Sequence, residues 1–205
     1  MINEEVLVSL RKEVSLLLSE RRFRHTLAVE KAARFLAQCC LPDKVAEISV
    51  AAILHDVTKE LSAEEQERIV KENNLAIDIN DVSFPLVAHS YTASVFVRER
   101  FPHVLTDEIE SAISSHTLGN ENMSIFDKII FLADFIEETR THSDCIVTAE
   151  FVYNSMRIGR VEENISVLNT ACIMEIDSTI ISLKKRNIPV NRMTLLARGS
   201  LISKT

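Results

Sequence analysis

The sequence predicts an all-α protein, and three features of its 205 residues predict it. Only three glycines and four prolines are present, so little in the chain interrupts helices. No stretch alternates β-branched and polar residues as a half-buried strand does. Apolar residues recur instead at helical spacing, as along Ile165, Leu168, Cys172, Ile176, Ile180 and Leu183.

Taken in order, these signals place helices at about 3–18, 21–40, 43–58, 62–73, 84–100, 107–117, 124–140, 147–156, 160–186 and 191–202. The first and fourth rest on the absence of breakers. The second carries a buried stripe of His25, Ala28, Val29, Ala32 and Leu36, at the i, i+3, i+4, i+7 and i+11 positions of one face. Pro42 and Pro85 stand at the starts of the third and fifth, where a missing N–H does little harm, and Pro102 and Pro189 stand at breaks. Ile109, Ala112 and Ile113 mark the sixth, and Gly119 suits its C-terminal cap. The seventh contains the apolar run Ile129 to Ile136, and the ninth is the long stripe already named.

The chain has no internal repeat and no Pro/Gly/Ser-rich linker, and its length suits one domain better than two. It reads as a single unit over 1–205, with a chemistry-bearing core at about 20–140 and a helical cover at about 141–205. The apolar runs are broken by charge well short of the ~20 residues that a membrane span needs. The start, Met1-Ile2-Asn3-Glu4-Glu5, lacks the basic and then apolar pattern of a secretory signal, so a cytoplasmic location is expected. Cys39, Cys40, Cys145 and Cys172 form no CxxC pair and are expected to be buried, reduced thiols. The net charge of -7 argues against broad nucleic-acid binding, which rests on many cations meeting many phosphates. A small anion is still compatible, and Arg21, Arg22 and Arg24 are a candidate source of local positive charge.

Chemistry enters through polar residues in apolar surroundings. Asp134 is the one carboxylate in Ile129-Ile130-Phe131-Leu132-Ala133-Asp134-Phe135-Ile136, and Ser49 to Leu54 ends on His55 and Asp56. His89 lies on an otherwise apolar helix, His116 closes the helix of Ile109 and Ile113, and His25 sits on its buried stripe. Taken singly, each is a core histidine or a buried salt bridge. Together they are the means by which helical proteins build metal sites, because a cation compensates anions that otherwise could not stay charged inside. Imidazole and carboxylate donors without thiolate suit iron, manganese, cobalt or zinc.

The order His25, His55-Asp56, Asp134, with His89 and His116 between, resembles the HD superfamily of metal-dependent phosphohydrolases. The wording Arg24-His25, Leu54-His55-Asp56-Val57-Thr58-Lys59, His116-Thr117-Leu118-Gly119, Met123 and Phe131-Leu132-Ala133-Asp134-Phe135-Ile136-Glu137 is similar to its YqeK-like branch, symmetrical diadenosine tetraphosphate hydrolases. Ser90 and Glu138 depart from the Gly and Pro common in that branch. The resemblance implies an HD-domain helical bundle with a C-terminal helical extension, holding two divalent or transition-metal ions, iron first among them. It assigns His25, His55, Asp56 and Asp134 to one metal, and His89 and His116 to a second that Asp56 bridges. Asp56 and Lys59 are the catalytic candidates, Lys59 as a cation for the phosphate one helical turn after His55. Arg24, Lys59, Thr117, Met123, Glu137 and Arg140 are candidates to contact substrate. For Arg140 a cation offsetting a helix C-terminus is an equal reading, and His103 and His142 are expected to play surface roles. The partners implied are a nucleotide substrate, no nucleic acid and no membrane, with a homodimer left open. The rival readings are an HD hydrolase of mononucleotides, an HD-type di-iron oxygenase and a non-catalytic nucleotide-binding module.

Overall fold

Side-chain caps written into the sequence start most of the helices in the computed structural model, which describes residues 2–79, 81 and 83–203. Asn3 accepts the Val6 amide to open α1 (Glu4–Ser15), and Ser19 accepts that of Arg22 to open α2 (Glu20–Cys40). Pro42–Lys44 is a single tight turn that leads into α3 (Val45–Leu54). Reciprocal Ser62–Glu65 and Ser124–Asp127 pairs open α4 (Ala63–Glu72) and α7 (Ile125–Ile136), each satisfying two otherwise orphaned amides. Between them run α5 (Phe84–Arg100), which has a proline in its first turn, and α6 (Asp107–Ser115), capped by Thr106. After them come α8 (Ser143–Ser155), α9 (Val161–Lys185) and α10 (Arg192–Ile202). No strand occurs among the described residues, as the sequence predicts.

The core is built around α3, which is buried on every side: Ile48 and all residues from Val50 to Leu54 have no exposed surface. It lies against α1, α2, α6 and α7. A helix surrounded in this way has to be apolar nearly all round, and from Val50 to Leu54 this one is; the buried Ser49 hydroxyl is satisfied by the Val45 carbonyl. The α2 stripe of Ala28, Val29, Ala32 and Leu36 closes one side, and Ile129, Ile130 and Leu132 of α7 close another. The last three helices form a layer in which α9 touches α2, α7, α8 and α10. A smaller apolar cluster of Val70, Phe84 and Ala88 joins α4 to α5. All four cysteines are buried and unpaired.

Three boundaries differ from the sequence reading by four residues. The helix expected over 43–58 stops at Leu54. Nδ1 of His55 meets the Ala52 carbonyl at 2.7 Å, and a continuing helix would give that carbonyl to the amide of Asp56. The chain then runs in tighter turns, with Lys59 N–H donating to Asp56 O and Leu61 N–H to Thr58 O. Lys59 therefore does not reach the site by sitting one α-helical turn after His55. The helix expected to reach 140 stops at Ile136, because Glu137 is extended and its carboxylate turns back to accept the amide and hydroxyl of Thr139. The next helix starts at Ser143, not 147.

By length and composition α9 alone among the described helices could span a membrane, but only by that measure. It carries the buried carboxylate Glu175 and lies against four other helices.

Candidate metal centre

Six side chains from five helices and their ends converge at one point. His25 comes from the middle of α2 and His89 from α5; Asp134 is near the end of α7, and His55, Asp56 and His116 lie just past the ends of α3 and α6. His116 ends its helix as His55 does, its Nδ1 2.7 Å from the Ile113 carbonyl. In both rings Nδ1 must carry the proton to bond a carbonyl, which leaves Nε2 with a bare lone pair directed inward. Nδ1 of His25 lies 3.1 Å from a carboxylate oxygen of Glu137, which is 2% exposed, and this fixes the same tautomer. Acceptors behind imidazoles in this way are how proteins orient metal-binding histidines.

Asp56 stands at the centre and its two oxygens divide the histidines. Oδ2 lies 3.6 Å from Nε2 of His25 and 3.5 Å from Nε2 of His55, and it accepts Arg22 at 2.8 Å. Oδ1 lies 3.3 Å from Nε2 of His89 and 3.6 Å from Nε2 of His116. Asp134 joins the first group, 3.1 Å from Nε2 of His25. Donor atoms of His25, His55 and Asp134 all fall within 4.8 Å of one another, and so do those of His55, Asp56 and His116. Nε2 of His25, Nε2 of His55 and Oδ1 of Asp56 are buried and hydrogen-bonded to nothing in the protein. Each such orphan costs about 1–3 kcal/mol. Three orphans at one point, all lone-pair donors, fit a cation.

The titration behaviour agrees. Burial would raise the pKa of Asp56, yet the surrounding histidines, His55 foremost, hold it well below the usual carboxylate range. Burial would lower that of His25, but the neighbouring carboxylates of Asp134, Glu137 and Asp56 raise it to about 9. The field at that ring therefore favours positive charge. Burial keeps His89 neutral. At His89 the local cation is Lys59, whose Nζ lies 2.9 Å from Nε2, and the Thr117 hydroxyl is 3.1 Å from the same atom.

The centre opens into a cavity of about 890 Å³, which has His25, His116, Thr117, Asp134 and Phe135 on its inner wall. Five arginines line it: Arg21, Arg22, Arg24, Arg140 and Arg186. A chain with a net charge of -7 thus gathers cations at one opening, which suits a multiply charged anion. Arg140 donates to both the backbone carbonyl and the carboxylate of Asp134, so it caps the end of α7 and also faces the cavity. Arg24 is exposed at the cavity's mouth.

Met123 is elsewhere. It is 5% exposed in the apolar core, against Gly119, and is not on the cavity wall. His103 is exposed, whereas His142, expected only on the surface, reaches the cavity rim. The sequence reading missed Phe135 and a polar face of α9. It took Arg22 only as part of a basic cluster, although Arg22 bonds Asp56 directly.

Residues 22–138 match the HD domain family. The chain belongs to that family. It is 31% identical to the symmetrical bis(5'-nucleosyl)-tetraphosphatase of Bacillus subtilis over 99% of both chains. It is also 31% identical to the protein of the same name from Halalkalibacterium halodurans, over 90% of this chain and 91% of that one. The relative of that name from Staphylococcus aureus is 26% identical over 80% and 82%. Among solved structures, a predicted HD superfamily hydrolase involved in NAD metabolism from Clostridium acetobutylicum superposes with a TM-score of 0.78 at 23% identity. That match covers 96% of this chain and 97% of the other, and it extends the shared fold beyond the HD core through the last three helices.

Proposed function

We propose that this HD-domain protein hydrolyses a nucleotide phosphoanhydride, and specifically that it splits diadenosine tetraphosphate between its middle phosphates into two molecules of ADP. The observation that carries the reading is Asp56, whose two oxygens each meet a different histidine pair, one member of each pair, His25 and His116, lining an arginine-rich cavity. The activity named for relatives matched over nine-tenths or more of their length supports the choice of substrate.

His25, His55, Asp56 and Asp134 would hold one metal ion, and Asp56, His89 and His116 a second. Such a pair, when bound, supplies a water acidic enough to attack near neutral pH and a clamp for phosphoryl oxygens. The chain's own groups do the rest. Arg22 and Arg140 lie beside the cluster's carboxylates and on the cavity wall, where they can neutralise polyphosphate charge. Lys59 has its ammonium at His89 and is the candidate to meet charge that develops on the phosphate. Glu137 orients His25. The water oxygen joins one middle phosphorus, the bridging oxygen leaves with the other half, and each product is a diphosphate. Iron is the proposed metal, with manganese, cobalt and zinc compatible with the same donors. The cytoplasm is the proposed compartment, in keeping with four unpaired cysteines.

The test is to incubate metal-loaded protein with diadenosine tetraphosphate and with nucleoside mono-, di- and triphosphates, and to resolve the products by chromatography. ADP as the sole product of the first is expected, along with its loss in Asp56→Ala. Production of AMP with ATP, or activity confined to mononucleotides, would overturn the substrate assignment.

A further inference from the structure

The proposed reaction leaves one wall of the cavity unexplained. Glu175, Ser178, Thr179, Ser182, Leu183 and Arg186 of α9 and its end all line it. Their spacing of i, i+3, i+4, i+7, i+8 and i+11 is one face of a helix. The chemistry of this face differs from that of the rest of the cavity. Arg21, Arg22 and Arg24 come from α2 and Arg140 from the end of α7, whereas α9 offers a carboxyl group, a leucine and three hydroxyls, of which that of Ser178 already donates to Asp144, before its single arginine. Hydroxyls and an aliphatic side chain match the sugar and base of a nucleotide, which carry hydrogen-bonding edges on apolar rings.

Glu175 sharpens the contrast. It is 7% exposed, it lines the cavity, and its Oε2 is fully buried with no hydrogen-bond partner. Leaving a buried polar atom unpaired is unfavourable, and native proteins rarely do so without reason. No other part of the described chain satisfies this oxygen.

We propose that the cavity face of α9 is the wall that recognises the nucleoside part of the ligand, with Glu175 as the group that hydrogen-bonds it and so discriminates a nucleotide from a bare polyphosphate. The inference rests on the nucleotide reading above and adds to it the place where the nucleoside is read. It gives the helices beyond the HD core a task that the metal ligands cannot perform. Burial, with Asp134 nearby, pushes the Glu175 carboxyl well above its usual range. A neutral carboxyl both donates and accepts, and glutamine can imitate it.

The experiment is calorimetric titration of the metal-loaded full chain with ADP, 2',3'-dideoxyadenosine diphosphate and inorganic pyrophosphate. Glu175→Leu is expected to weaken ADP at least tenfold and to leave pyrophosphate within twofold, while Glu175→Gln retains most of the ADP affinity. Thr179→Val, at a half-buried position, is expected to shift ADP and not pyrophosphate, and it keeps the test open should Glu175→Leu fold poorly. If the contact is to ribose, dideoxy-ADP binds the wild type weakly and Glu175→Leu costs it nothing more; if it is to the base, both adenosine ligands weaken together. Equal loss of ADP and pyrophosphate, or no loss of either, would overturn the proposal. A protein that binds ADP in this way yet fails to split diadenosine tetraphosphate would keep this wall and lose the proposed reaction.

Discussion

Replacing Glu137 by Gln tests whether the centre is organised from behind its ligands. Glu137 is 2% exposed and accepts Nδ1 of His25 at 3.1 Å, while Thr139 donates to it from both backbone and hydroxyl. Glutamine keeps the length and an acceptor oxygen, and removes the charge behind the His25 ring. Losing such a partner commonly lowers metal affinity 10- to 100-fold, or about 1.4–2.8 kcal/mol. Chelator competition on purified protein measures it. The neighbouring Glu138, exposed and paired with Lys31, supplies the control: Glu138→Gln should leave affinity unchanged. An affinity for Glu137→Gln within twofold of wild type, with the metal-free melting temperature intact, would refute the claim that His25 is a metal ligand oriented by this carboxylate.

Lys59→Ala is expected to keep the metal content and slow turnover by roughly 100-fold; unchanged turnover would remove Lys59 from the reaction. Gly119 has φ +68° and a built Cβ would come 3.0 Å from that of Ala197, so Gly119→Ala should destabilise by about 1–2 kcal/mol and lower the melting temperature by several degrees. The Glu175 carboxyl is raised from its ordinary 4.5 on folding, so its contribution to stability is complete below that value and is lost as pH climbs toward the folded pKa. Glu175→Gln abolishes this loss, and its melting temperature relative to wild type should increase between pH 5 and pH 8; a difference independent of pH would contradict the assignment.

Much of this was legible in the residues, for reasons that can be named. Scarcity of glycine and proline made helix the default. The convergence of six polar side chains was legible because each interrupts an apolar face, and those faces had to be buried. Less legible were the helix ends at His55 and His116, where the ring takes a carbonyl that helical periodicity assigns to the backbone. The core position of Met123 was not legible either, because a motif gives order along the chain and not direction: the side chain packs inward beside Gly119. Glu175 was hidden for the opposite reason. It is next to Ile176 on a helix read only as an amphipathic cover, and its cavity is assembled from α2, α6, α7 and α9 together, a neighbourhood that no local spacing encodes. A lone acid beside a buried stripe was the signal available, and its meaning needed the fold.

The central claim is that Asp56 joins two metal sites, one at each carboxylate oxygen. Crystals of the freshly purified protein, measured on both sides of the absorption edge of the metal found by elemental analysis, test it directly. Two anomalous peaks are expected, one beside Oδ2 with His25, His55 and Asp134 and one beside Oδ1 with His89 and His116. A single peak away from Asp56, or none in protein that retains full hydrolytic activity, would contradict it.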